Sequence, residues 1–203
     1  MTSTPYEVLR SLRRFEGRVI SVRSDTVRMP GGAIAVRDVV EHPGAVGVVV
    51  LDDVDRLIMI RQYRHPVRAY MWELPAGLLD EAGESALSAA QRELLEEVGL
   101  RAARWDVLVD VHSSAGMTDE AYRVYLARDV SAKAADFVPG AHEEADMEEK
   151  WLPLDDAVSA VLAGEITNGL AVAGILATDR ARRDGYTTLR PADARWPARA
   201  QHA

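Results

Sequence analysis

Gly77 to Leu100 reads GLLDEAGESALSAAQRELLEEVGL, and the rest of the chain is organised around it. From Ser85 to Val98 it holds good helix formers with no proline and no interior glycine, and Gly99 stands where a left-handed C-terminal cap belongs. The spacing predicts one helix. At about 100° per residue, Leu87, Ala90, Leu94 and Val98 fall on one stripe, while Glu93, Glu96 and Glu97 gather on a neighbouring face with Arg92 on their flank. The stripe faces a core and leaves three carboxylates side by side. Like charges at these spacings repel by roughly a few tenths of a kcal/mol per pair, so the cluster calls for a counter-charge. Oxygen ligands alone favour a hard cation, Mg²⁺ or Mn²⁺, which takes one or two protein carboxylates and fills its shell with water and substrate phosphates. A solvated acidic face is the competing reading of the three glutamates taken by themselves.

Composition bounds the rest. The 203 residues, 48% of them hydrophobic, suffice for one domain with a substantial core and an added arm. There is no cysteine, which excludes disulfides, zinc-thiolate sites and cysteine nucleophiles. The amino terminus lacks a basic-then-apolar signal and no apolar run reaches the length of a membrane span, so the expectation is a cytoplasmic protein with no membrane partner. A net charge of −8 gives no support to nucleic-acid binding. An acidic protein that acts on phosphates must supply positive charge locally, from metal and from placed arginines. All but two of the 24 basic residues are arginine, so abundance alone marks none of them as functional.

Along the chain, residues 1 to 15 read as a loose arm. Arg18 to Val22, Thr26 to Arg28 and Ala33 to Val40, with a turn at Pro30-Gly31-Gly32, predict a small antiparallel sheet appended to the main domain. Strands are predicted at Ala45 to Leu51, Leu57 to Tyr63, Trp105 to Val111 and Ala121 to Ala127, with Trp151 to Leu154 the last. Trp72 to Gly77 is a short edge that delivers the chain to the helix. Asp155 or Asp156 caps a helix through Leu162, and Thr167 to Arg183 gives a longer one. The tail from Gly185 is expected to be partly extended. These pieces predict an α/β sandwich built round a mixed sheet. The expected organisation is an arm and small sheet over 1–42, a catalytic domain over 43–184 and a tail over 185–203.

Glu84, Arg92, Glu93, Leu94, Glu96, Glu97, Gly99 and Leu100 match in type and spacing the signature helix of Nudix hydrolases, so the chain resembles that family. One departure is that six residues rather than five separate Gly77 from Glu84, the extra one lying in the loop beside Gly83, where added length is tolerated best. The resemblance implies the Nudix α/β/α sandwich, a divalent cation, and hydrolysis of a nucleoside diphosphate linked to another group. It makes Glu93 and Glu97 the principal metal ligands, Glu96 a ligand or its close partner, and the Ala76 carbonyl a backbone ligand. It counts Arg92 with the catalytic group and gives it, with Glu84, the task of holding loop and helix in register.

The stretches around Val39 to Val46, Gln62 to His65, Trp72 to Leu79 and Glu143 to Asp146 look like those of bacterial ADP-ribose pyrophosphatases, over about Gly17 to Ala177. That likeness implies ADP-ribose as the small-molecule partner, a homodimer that exchanges N-terminal sheets, and a general base on the loop after the helix. Glu144 is the choice for the base, with Asp146 as a further metal ligand and Glu143 as the rival. Arg64 is assigned to phosphate or terminal ribose, Arg37 to a neighbouring subunit's adenine or phosphate, and Glu73 and the Gly116 loop to substrate. His42, His65 and His112 are read as satisfying local hydrogen bonds, and Trp72 as core rather than base-stacking. A sugar-nucleotide or NADH pyrophosphatase shares the signature helix. A sensor that binds ADP-ribose without hydrolysis would ordinarily have lost acids that this chain keeps.

Overall fold

The computed structural model describes residues 6–131, 133, 137 and 147–198. The chain divides into two compact units, Met1–Gly44 with His112–Ala121, and Ala45–Val111 with Tyr122–Ala203.

In the first unit β1 (Glu7–Glu16), β2 (Ser21–Arg28) and β3 (Ile34–Glu41) form an antiparallel sheet in that order. Residues 7–16 are thus a strand and not a loose arm. Register shifts between Val8 and Arg10 and between Arg13 and Phe15 break the alternation that marks a strand in sequence, while the ladder to β2 is kept, from Glu7 opposite Arg28 to Glu16 opposite Ser21. Ser21-Val22 and Thr26 to Arg28 belong to one strand, β2, which runs on through the buried Ser24 and Asp25, while Arg18 to Ile20 precede it. The loop after residue 112 docks on β3. Val40 donates its N–H to Met117 O and accepts from Asp119 N–H.

The second unit holds a five-stranded sheet in the order β11-β8-β9-β4-β7, made of β4 (Ala45–Val50), β7 (Ala76–Leu78), β8 (Ala102–His112), β9 (Ala121–Val130) and β11 (Arg190–Pro191). It is mixed, because β4 runs parallel to β9 and antiparallel to β7. A three-stranded antiparallel sheet, β10-β5-β6, comprises β5 (Arg56–Arg64), β6 (Ala69–Glu73) and β10 (Glu148–Pro153). Helix α1 (Ala86–Val98) packs on β7 and β4, α2 (Leu154–Leu162) on β10, and α3 (Gly169–Arg183) on α2, β4 and β6. The core that results joins Val49, Leu57, Met59, Leu74, Val124, Leu126, Leu154 and Ile175. Each such side chain contributes about 1.5–3 kcal/mol on leaving water.

Three boundaries differ from the sequence reading. Pro153 is the N-cap of α2, with no side-chain cap bond, and Asp155 and Asp156 lie in the first turn, where the helix dipole favours carboxylates. Asn168 caps α3, its side chain accepting from Ala171 N–H at 3.0 Å. The strand at Trp151 is not the last, because Arg190 and Pro191 pair with β8. A buried arginine holds that tail. Arg123 donates to Asp110 at 2.7 and 3.0 Å and to the carbonyls of Ala194 and Arg195, and it lies 4.9 Å from the Trp196 ring centre. Arg190 completes the set with a 2.7 Å bond to Asp110. Among the described residues no helix is long and apolar enough to cross a membrane.

Candidate active site

Helix α1 forms where the sequence places it. Ser85 caps it by accepting Ser88 N–H at 3.0 Å, and Gly99, at φ 67°, closes it in the left-handed conformation that suits glycine. Ala90, Leu94 and Val98 are fully buried, joined by Ala89, while Leu87 is only half-buried. The surprise is Glu97. It is 7% exposed, and its Oε2 accepts the backbone N–H of Ala76 at 2.9 Å.

Glu93 follows the same path. Its carboxylate lies against Gly77, with Oε1 at 2.0 Å from the point a Cβ would take there. Two carboxylates one helical turn apart therefore converge on consecutive residues, Ala76 and Gly77, that β7 supplies. Glu96 stays outside and half exposed. The counter-charge that the acids call for is supplied from within the helix, by Arg92. Its Nη1 donates to Glu93 at 2.7 Å and to Glu96 at 3.0 Å, while Nε and Nη2 grip Glu84 at 3.1 and 3.0 Å. Those bonds hold the Glu84 carboxyl below the usual carboxylate range. Arg92 and Glu84 thus tie the loop to the helix, as the register role requires.

Whether these residues fit a divalent cation turns on their donor chemistry. Glu93, Glu97 and the backbone of Ala76 offer hard oxygens and no nitrogen or sulfur, and a magnesium-like ion takes only one or two protein carboxylates. The set fits such an ion. Among the described residues no three Asp, Glu or His side chains form a ready-made cage. Glu143, Glu144 and Asp146 lie outside the described residues.

Arg64 and Glu73 meet in the second unit. Glu73 closes β6, is buried, and takes Nε of Arg64 at 3.0 and 3.2 Å and Nη2 at 2.7 Å. Glu73 stands opposite Ile60, which shares the Arg64 face of β5, whereas Trp72 stands opposite Arg61 on the other face. Trp72 packs against the core there, under Lys150 at 5.6 Å and Arg61 at 5.9 Å from its ring centre. Its core reading is the one the structure gives.

In the first unit Arg37 is exposed and donates to Val36 O at 3.0 Å. A Cβ on Gly116 would meet nothing within 4 Å, so its own surroundings do not require glycine. His42 accepts Gly44 N–H through Nδ1 at 3.1 Å, the local bond expected of it. Asp119 accepts from His42 N–H, and Glu120 from Ser113. Sequence reasoning missed the roles of Gly77 and of the Ala76 N–H, and the bond from Arg64 to Glu73. The i, i+4 spacing of Arg92 and Glu96 was the one legible sign of the counter-charge.

A family model described as the NUDIX domain matches residues 41–171. The chain is 47% identical to an ADP-ribose pyrophosphatase of Mycobacterium tuberculosis over 199 residues, 97% of this chain and 93% of that protein. It is 35% identical over 164 residues to a CMP-5'-(N-acetyl-N-hydroxy-3-aminopropyl)phosphonate hydrolase of Streptomyces rubellomurinus, 80% of this chain and 76% of that one. A solved structure titled ADP compounds hydrolase superposes with a TM-score of 0.76 at 22% identity, covering 91% of this chain and 98% of that chain, a likeness of fold.

Proposed function

The chain belongs to the Nudix family, and from that premise we propose that it hydrolyses the pyrophosphate bond of ADP-ribose, giving AMP and ribose 5-phosphate, with Mg²⁺ as its cation and Mn²⁺ as the alternative. The observation that carries the reading is the convergence of Glu93 and Glu97 on Ala76 and Gly77.

Glu93, Glu97 and the Ala76 carbonyl would hold the cation, with Glu96 beside them and Asp146 as a further ligand. A divalent ion there neutralises charge on the paired phosphates and lowers the pKa of a bound water. Arg92 keeps Glu93 and Glu84 in place. Arg64 takes the diphosphate or terminal ribose, as a guanidinium suits phosphate oxygens. Glu144 takes the proton of the attacking water, so Glu144→Gln cuts kcat about a hundredfold or more and leaves metal binding intact.

The reading includes a homodimer in which residues 1–42 are exchanged, with Arg37 and the Gly116 loop reaching substrate, and a catalytic domain over 43–184 followed by a tail. It also includes a cytoplasmic location, with which the cysteine-free chain agrees. A pyrophosphatase for another nucleotide derivative is the second reading, favoured by the 35% identity to a hydrolase whose named substrate is a CMP-linked phosphonate. Incubating purified protein with ADP-ribose and Mg²⁺, and separating the products by chromatography, tests both. AMP formed from ADP-ribose faster than CMP or AMP from other linked nucleotides supports the first reading. Preferred cleavage of a sugar nucleotide or NADH supports the second, and no cleavage of any overturns both.

A further inference from the structure

We infer that Glu73 is a positioning residue that acts through Arg64 rather than a group that touches substrate, an inference that rests on the diphosphate role proposed for Arg64. The Glu73 side chain is 3% exposed, so its carboxylate is withdrawn from anything arriving from solvent, whereas Arg64 remains 40% exposed. Glu73 occupies the Nε and Nη2 edge of the guanidinium with three contacts of 2.7 to 3.2 Å. That two-pronged grip fixes the plane of a group at the end of a long, rotatable chain.

Stability does not explain a charge at this place. Taking a carboxylate out of water costs more than its attraction to one partner returns unless geometry is excellent, and apolar replacements of buried pairs are often neutral or stabilising. Orientation does explain it. Glu73 is followed within four residues by Ala76 and Gly77, the two residues on which Glu97 and Glu93 converge. The short stretch from Glu73 to Gly77 therefore sets both halves of the site, the cation-holding carboxylates from one end and the guanidinium from the other. A guanidinium held in register before substrate arrives loses less freedom on binding it.

The test separates positioning from packing. Glu73→Gln keeps the size of the side chain and removes its charge. The expected result is a KM for ADP-ribose at least about tenfold higher with kcat within about threefold of wild type, and unchanged Mn²⁺ uptake. Arg64→Ala is then assayed with added guanidinium ion, at a concentration that leaves its Tm unchanged. Guanidinium restores part of kcat/KM in Arg64→Ala, where Glu73 can seat it, and none in Arg64→Ala/Glu73→Gln. The double variant leaves no buried charge unpaired, so it stays folded even where Arg64→Ala, which leaves the Glu73 carboxylate alone, is destabilised. Equal rescue of both, rescue of neither, or a wild-type KM in Glu73→Gln overturns the inference. A wild-type protein that does not cleave ADP-ribose overturns the functional reading and this inference with it. Cleavage by wild type with Glu73→Gln indistinguishable from it overturns this inference alone.

Discussion

The carboxylate of Glu93 fills the space that Gly77 leaves open, its Oε1 standing 2.0 Å from where a β-carbon on that glycine would be. A methyl group there must push the carboxylate away, and the far end of a flexible side chain yields at small cost to the fold. Gly77→Ala is therefore expected to keep Tm within a few degrees while misplacing a ligand of the proposed cation. A displacement of about 1 Å at a reacting centre costs about a hundredfold. Initial-rate kinetics beside a Mn²⁺ titration check this, and wild-type kinetics would show that Glu93 has another productive position.

Glu97→Gln separates the two tasks of that side chain. Its amide oxygen can still accept the Ala76 N–H, now met at 2.9 Å, so the helix should stay docked on β7. The negative charge is gone, and several kcal/mol of cation-derived stabilisation corresponds to a kcat loss of about 10²- to 10³-fold. Circular dichroism should match wild type while divalent-cation affinity falls. A variant that keeps full activity would remove Glu97 from the ligand set.

Helix α1 was legible because every sign agreed, from the Ser85 cap through the apolar stripe to Gly99. Its buried face was legible too, but the burial of Glu97 was not, since nothing in the helix tells that a strand N–H waits at Ala76. Strand β1 was hidden by two bulges, which shift the alternation that the eye follows. The Arg64 and Glu73 pair needed the register of a hairpin, Tyr63 opposite Tyr70, before nine residues of separation became a contact. The brief strand at Arg190 and Pro191 has no pattern of its own and exists because β8 offers an edge and Arg123 reaches the carbonyls beyond it. Local chemistry was readable where the chain meets itself nearby, and unreadable where a distant backbone group decides.

Acid should loosen the tail. Burial pushes the Asp110 carboxyl up, but hydrogen bonds from Arg123 and Arg190 outweigh it and hold the group below the usual carboxylate range. Between the folded and unfolded values the unfolded chain binds the extra proton. The stabilisation is therefore present above about pH 4 and is lost as pH falls through the depressed folded value. Asp110→Asn should lower Tm by about 4–8 °C near neutrality, for a loss of about 2 kcal/mol in charged hydrogen bonds. The gap to wild type should narrow below about pH 4. Thermal melts of both proteins from pH 3 to 8 check this, and a gap that stays constant across the range would contradict it.

The three-stranded N-terminal sheet carries apolar side chains that stay exposed among the described residues. Ile34 and Val36, 63% and 59% exposed, project from the same face of β3 because they are two residues apart on a strand. Small sheets of this size need a packed face to be stable. A second copy of the chain would supply one, which is the physical content of the exchanged dimer. Burying a charge there without a partner costs several kcal/mol, so Val36→Asp should weaken self-association by at least about a hundredfold. Sedimentation velocity at micromolar concentration should give the mass of a dimer for wild type and of a monomer for the variant. A wild-type monomer under those conditions would remove the exchange, and a Val36→Asp dimer would place the interface on another face, since an aspartate at the centre of an apolar contact cannot be ignored by it.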